Sequence, residues 1–556
     1  MRNKSLITVA LIIAFLSGYC INSWYEGFFL SSEIEPEQIK AAEKLIGLEM
    51  TPAEKDSMIN GLKELRGNYQ NIRAVELENG IMPAILFNPI PDGFQINYKQ
   101  EAIKYGDYSS TVLPDNPDDL AFYSIGQLAH LIKTKKITSV NLTRLFLDRL
   151  KKFGPRLECV ITLTEKRAME KAKQADDELA KGKYRGLLHG IPYGAKDLLA
   201  VKGYKTTWGA MPFKDQFIDQ DATVIKKLDE AGAVLCAKLS LGALAWGDVW
   251  FGGKTRNPWN IKEGSSGSSA GSAAAVSAGL LPFALGTETW GSIVSPSTVC
   301  GVTGLRPTYG SVSRYGAMAL SWSMDKIGPI CRNAEDAAMV YEAIKGEDGL
   351  DKPMYNAAFN YNAKTDLSGL KIGYLESDFK KDYPFHINDS LTIAAIRTMG
   401  FNIEPVEISK LPVNDVAFIL NAEAAAAFDE LTRSDKDDLL VRQIQNAWPN
   451  VFRMSRFIPA VEYINANRIR TKLIREMKIL MDTIDIYIAP SWEGDNLLLT
   501  NLTGHPCVVI PNGFSEDGTP TSISFIGRLF GEAELIAFSH KYQQETDHHL
   551  KHPVLE

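Results

Sequence analysis

The chain has 556 residues, 45% of them apolar and 23% charged, which is ample material for a large buried core. Its 67 acidic residues against 60 basic ones give a net charge of −7, so neither nucleic acid nor an anionic membrane surface is an electrostatically natural partner. The eight histidines show no metal-ligand spacing, and neither a metal nor a cofactor is expected.

Taken in chain order, the first signal is an export segment. Arg2 and Lys4 precede the apolar run Leu6 to Leu16, and Ser17-Gly18-Tyr19-Cys20 follows. Residues 1–20 therefore read as a signal peptide or membrane anchor, the run being short for a transmembrane helix. Cys20 sits where a bacterial lipoprotein is acylated. The expected location is outside the cytoplasm, periplasmic or held at the cell envelope, with membrane contact only through this segment. A cytoplasmic protein is the alternative, and Cys159, Cys236, Cys300, Cys331 and Cys507 would suit it as scattered free thiols, since their spacing shows no disulfide framework.

Residues 21–117 read as an N-terminal helical extension. Glu35 to Leu48 and Pro52 to Glu64 carry helical periodicity, and Thr51 is a good N-cap for the second run. A loop rich in Asn, Pro and Asp follows, through Asn88-Pro89 and Pro114-Asp115-Asn116-Pro117, and reads as a long wrapping strap. The main domain is placed at 118–556. There Ser124 should cap a helix from Ile125 to Thr134, and Ser139 one from Val140 to Lys152. The small or apolar flanks of Lys196, with Leu198-Leu199-Ala200 on one side, favour its burial.

The segment Gly264 to Thr308 is the most informative in the chain. Gly, Ser and Ala dominate its first part, so the backbone can turn sharply and a substrate can approach it closely. Ser272 to Ala278 has helical propensity, with Gly279 placed to end it, so Ser268 and Ser269 precede a helix N-terminus that favours negative charge. Leu280 to Leu285 reads as a buried strand, and Gly286 to Ser292 as a second tight turn that can expose a hydroxyl and leave N–H groups unpaired. No Gly-Lys-Ser/Thr follows, so a phosphate loop is a poor reading. Gly267-Ser268-Ser269-Ala270-Gly271 fits the G-x-S-x-G nucleophile elbow with Ser269 central, but the approach Asn260 to Gly264 is polar and turn-like where an elbow wants a strand. Further on, Leu370 to Leu375 and Ile484 to Ala489 read as strands.

These residues closely resemble the signature of the amidase signature family. Its pieces read here as Ser266 to Ser272, Gly286 to Pro296 and Gly304-Leu305-Arg306-Pro307-Thr308, with the upstream lysine supplied by Lys196. Ser268 and Ser292 stand 24 residues apart, in line with the family spacing. Further family marks are Asp221-Ala222-Thr223-Val224, Ala231-Gly232-Ala233, Ser323-Met324-Asp325 and Gly328-Pro329. The resemblance implies an α/β fold with a central mixed sheet covered by helices. It implies Lys196 as base, Ser268 as a bridging serine with a cis peptide, and Ser292 as nucleophile. Backbone N–H groups of Thr289, Trp290, Gly291 and Ser292 would form the oxyanion hole, and Asp197 would be structural support. The implied activity is an amidohydrolase acting on a small linear carboxamide through an acyl-serine.

Two positions depart from the family pattern. Trp290 replaces a usual glycine, which would be strained if the turn needs positive φ there, and Val294 replaces a usual arginine. Trp208, Trp246, Trp250, Trp290 and Trp322 fall near signature segments and hint at an aromatic-lined pocket. Glu423, Arg433 and Asp495 are available for the charged ends of an amino-acid substrate. Two alternatives stay open: the glutamine-hydrolysing component of a tRNA-dependent amidotransferase, and a non-catalytic envelope binding protein of the same fold.

Overall fold

The computed structural model describes residues 34–555. The expected export segment, Cys20 included, lies outside them. The described residues form two compact units divided between Glu78 and Asn79.

In the first unit, helices Pro36–Ile46 and Pro52–Arg73 form a hairpin. The second begins at the expected Thr51 cap, whose hydroxyl accepts from the Glu54 N–H while Glu54 bonds back to the Thr51 N–H at 2.6 Å. It runs nine residues past the expected end at Glu64, because Leu65 to Ile72 holds neither proline nor a capping signal and Gly67 alone does not stop a helix. Lys55 pairs with Glu43 across the hairpin at 2.9 Å.

The second unit is built on an 11-stranded sheet. Its strands are β1 (Val160–Leu163), β2 (Pro192–Lys196), β3 (Val234–Leu239), β4 (Phe283–Glu288), β5 (Thr303–Arg306), β6 (Lys326–Cys331), β7 (Ile372–Tyr374), β8 (Ile403–Pro405), β9 (Ile486–Pro490), β10 (Cys507–Phe514) and β11 (Pro520–Gly527). The order is β1-β3-β2-β4-β6-β5-β10-β11-β9-β7-β8. Pairs β2–β3, β2–β4, β7–β9 and β7–β8 are parallel and the rest antiparallel, which makes the sheet mixed. Strands β2, β3, β4, β6 and β9 are buried along their whole length, as expected of strands covered by helices on both faces.

Helix Ile125–Lys133 starts at the expected Ser124 cap. Helix Ser139–Leu157 starts one residue early: Thr138 is its cap, accepting from the Asn141 N–H, and the Ser139 hydroxyl instead bonds the Gly190 carbonyl at 2.8 Å. Strand β4 lies three residues later than the apolar run Leu280 to Leu285 suggests, because Gly286, Thr287 and Glu288 continue the ladder against β6. Apolar content does not mark a strand end whose polar groups find buried partners. The approach Asn260–Gly264 is a strand and not a turn, paired in a two-stranded ribbon with Arg256–Asn257 apart from the main sheet.

Residues 79–116 run over the second unit largely without regular structure. Asn79 exchanges hydrogen bonds with both backbone groups of Ala319, at 2.7 and 2.9 Å. Phe87 lies under the Arg470 guanidinium at 3.5 Å, and Glu335 accepts from the Gly106 N–H and the Tyr361 hydroxyl. The five cysteines among the described residues are all buried free thiols. No helix of the described residues is long and apolar enough to cross a membrane.

Candidate active site

Parallel neighbours end at the same edge of a sheet, and the crevice beyond those ends is where α/β proteins gather ligand-binding groups. Strands β2 and β4 are such neighbours, with Ala195 opposite Leu285. Lys196 closes β2, so its side chain meets the last residues of β4. Strand β6 runs antiparallel to β4 with Lys326 opposite Glu288, which brings Asp325 to the same edge.

Lys196 is fully buried. Its Nζ donates to Ser268 Oγ at 2.8 Å, Ser269 Oγ at 3.0 Å and Thr287 Oγ1 at 2.8 Å. Burial penalises the ammonium and holds its pKa well below the usual lysine value of 10.5, against a weaker opposing pull from Asp325 and Glu288. A neutral amine keeps two N–H groups and one lone pair, so one of its three hydroxyl neighbours must turn round and donate. Ser269 is not free to do so: its hydroxyl donates to the Thr287 carbonyl at 3.1 Å and accepts from the Thr287 N–H at 3.1 Å. Neither the Ser268 nor the Thr287 hydroxyl carries such a commitment among the described residues, so either can supply that proton. The Gly267–Ser268 peptide is cis, and a Cβ on Gly267 would stand 1.9 Å from the Gly247 carbonyl oxygen.

Two further lysines are buried, and neither is placed to act as a base. Lys238 pairs with Asp197 at 2.6 Å, and Lys326 donates to the Met324 carbonyl. Asp197 also accepts from the Thr207 N–H at 2.8 Å, which makes it a brace for the chain just after Lys196.

Past β4 the chain turns through Thr289, Trp290, Gly291 and Ser292. The backbone N–H groups of these four residues donate to no protein acceptor among the described residues, while the next two, Ile293 and Val294, both donate to Glu288 Oε2 at 2.8 and 2.9 Å. Four adjacent donors without a protein acceptor are the kind of group that an oxyanion can accept from. The turn's positive φ falls on Gly291 at 84°, while Trp290 stays at negative φ, so the tryptophan is not strained. Val294 is buried against Cys507 and Val509, where an arginine would need a charge partner. Helix Val294–Cys300 follows.

Ser292 is the most accessible of the three serines, 9% exposed against 1% for Ser268 and none for Ser269. Its carbonyl accepts from the Ser269 N–H at 3.2 Å, which ties the two turns together. Its hydroxyl makes no hydrogen bond among the described residues, so Lys196 and Ser268 are joined directly and Ser292 joins them through backbone alone.

The charges that fix this turn, Glu288, Arg306 and Asp325, lie inside the quoted family blocks, which assign them no role of their own. Glu288 is fully buried and accepts from Arg306 at 2.8 Å and Asn501 at 2.8 Å, besides the two N–H groups. Burial opposes its charge, but Arg306 and the donors prevail and hold its pKa at about 2. Thr289 donates to Asp325 at 2.6 Å, and Asp325 also takes the Leu320 and Ser321 N–H groups. The signal that could have found them is an acid and a base, Glu288 and Arg306, inside otherwise small or apolar strands, where unpaired charge is rarely tolerated. Glu288→Ala is expected to cost about 3–5 kcal/mol of stability by stranding Arg306 as a buried charge, read as a lower urea midpoint. With a folded pKa near 2 against 4.5 when free, the contribution of Glu288 is complete above pH 4.5 and lost as pH falls through 2.

The expected aromatic lining is mostly packing. Trp208 lies against Phe213 and Phe428, Trp246 under Arg442, and Trp250 against Phe251, while the Trp322 carbonyl accepts from Arg314 and Tyr309. Trp290 alone of the five is exposed. Glu423, Arg433 and Asp495 are not hydrogen-bonded to one another: Glu423 holds Ser321, Ser323 and Tyr463, Arg433 holds Asp429, and Asp495 holds Asn414. No cluster among the described residues has the makings of a metal site.

A family model described as Amidase matches residues 141–495. The A component of the glutamyl-tRNA(Gln) amidotransferase of Coxiella burnetii is 34% identical over 480 residues, covering 78% of this chain and 99% of that one. Among solved structures, the native peptide amidase from Stenotrophomonas maltophilia superposes with a TM-score of 0.69 at 28% identity, over 78% of this chain and 98% of that one. An amidase family protein from Bacillus anthracis gives 0.70 at 26% identity, over 79% of this chain and 94% of that one.

Proposed function

This chain belongs to the amidase family, and from that premise we propose that it is an amidohydrolase of small linear carboxamides working through an acyl-serine on Ser292. An amide is a poor electrophile with a poor leaving group, so the site must activate a nucleophile, hold an oxyanion and protonate nitrogen. Ser292 Oγ attacks the carbonyl carbon and passes its proton to Ser268, whose own proton moves to neutral Lys196. The developing oxyanion sits on the N–H groups of Thr289 to Ser292. Return of the proton through Ser268 to nitrogen expels ammonia or an amine and leaves the acyl-serine. Water, deprotonated by the same relay, then releases the acid. The Ser268–Ser292 hydrogen bond that this needs forms when substrate closes the site, as apo catalytic contacts commonly tighten on binding.

The observation that carries the reading is the row of four unpaired N–H groups ending at an accessible serine, beside a buried amine already bonded to a second serine. We also propose that the protein works outside the cytoplasm, on the strength of the basic, then apolar, N-terminus. The relatives named as amidotransferase components favour a second reading, glutamine hydrolysis within a soluble assembly.

One experiment separates the two. The full chain, expressed alone and fractionated, is expected in the envelope or periplasmic fraction, and it should hydrolyse members of a panel of primary amides, amino-acid amides and peptide amides with no other protein added. Activity on glutamine only, in a soluble complex with two other chains, would instead establish the amidotransferase reading. Turnover of no substrate together with no fluorophosphonate adduct would leave a binding protein.

A further inference from the structure

We propose that the Trp290 indole is the specificity surface of this site, selecting amides that carry a flat aromatic group close to the scissile carbonyl. The inference rests on the amidohydrolase reading above and names its substrate class.

Trp290 lies in the middle of the turn whose N–H groups are unpaired. Its neighbours point inward: Thr289 is 6% exposed and bonded to Asp325, and Ser292 is 9% exposed, whereas Trp290 is 44% exposed. No ring contact, cation contact or hydrogen bond engages its indole among the described residues, unlike Trp208, Trp246 and Trp250. The turn does not need this side chain for its shape, since Gly291 supplies the positive φ and Glu288 anchors the two N–H groups that follow. A large apolar ring is thus left nearly half exposed in the turn that ends at Ser292, with no ring, cation or hydrogen-bond partner among the described residues. An aromatic surface so placed gains most by covering itself with another ring, in offset or edge-on contact.

Because the indole hangs from the same residue that offers one oxyanion N–H, a ring one or two bonds from the carbonyl reaches it. That ring can sit on the acyl side, as in phenylacetamide, or on the leaving side, as in acetanilide. Both present the same chemistry to Trp290, and the substrates tell them apart.

The test is the ratio of kcat/KM for phenylacetamide, and separately acetanilide, to kcat/KM for acetamide in the full-length protein. At least one ratio is expected to be on the order of 10 or more, the scale at which apolar pockets discriminate. It should fall about tenfold in W290A and be largely retained in W290F, which keeps a ring. The ratio cancels any loss common to all substrates from disturbance of the turn. Wild-type ratios near one, or ratios the same in W290A, overturn the inference while leaving the hydrolase reading standing. Turnover of no amide, with no fluorophosphonate adduct, overturns both.

Discussion

Ser292→Ala is expected to lower turnover by about a million-fold, the loss seen when an acyl-enzyme nucleophile is removed, and to abolish fluorophosphonate labelling. The fold should scarcely notice. The Ser292 hydroxyl makes no hydrogen bond among the described residues, so its removal leaves no buried partner unsatisfied, and stability should stay within about 0.5 kcal/mol of the parent. This split between activity and stability identifies a nucleophile, because a structural serine would show the reverse. Ser268→Ala should behave differently: it removes the proposed relay between Lys196 and Ser292 but leaves the proposed nucleophile and the unpaired N–H groups, so weak residual activity is expected. Mass spectrometry of the trapped acyl-enzyme decides the assignment. Acyl on Ser292 is the expected result, and acyl on Ser269 would sink it in favour of the nucleophile elbow. The geometry already weighs against Ser269, whose hydroxyl proton is spent on the Thr287 carbonyl.

What the sequence made legible depended on how local its signals were. The caps at Thr51 and Ser124 were readable because a capping box lies within four residues. The catalytic candidates were readable because two glycine-rich turns and one strand-end lysine sit in recognisable blocks, and the fold arranges those blocks around one sheet edge. The shape of the turn after β4 was not readable. It is set by Glu288, Arg306, Asn501 and Asp325, which converge from four separate parts of the chain, and no periodicity encodes a meeting of that kind. The same limit explains Trp290. Its conformation depends on which residue of the turn takes positive φ, and Gly291 takes it. It also explains Glu423, which looked available for a substrate and is instead enclosed by Ser321, Ser323 and Tyr463.

Lys196→Ala is expected to reduce kcat/KM by about 100- to 10,000-fold, the range of positioned acid–base groups. Loss of rate alone would not prove a base, since the amine also holds three hydroxyls in place. The pH profile distinguishes the roles. Burial depresses the folded pKa of Lys196 well below 10.5, so the competent neutral form exists above that depressed value and is lost as pH falls through it. The wild-type kcat/KM should therefore rise along a single deprotonation far below 10.5 and then level off. In Lys196→Ala that acid limb should vanish, leaving the residual rate flat across the same range. A residual rate that keeps the limb would assign it to another group and reduce Lys196 to a positioning residue. Stability follows the same linkage: below pH 10.5 the unfolded chain binds a proton that the folded site refuses, so the wild type loses stability as pH falls from 10.5 towards the depressed folded pKa. Lys196→Ala should lack this component of the pH dependence. A site that disfavours the charged form of a buried amine, and surrounds it with hydroxyls in place of a carboxylate, is suited to taking a proton from a serine.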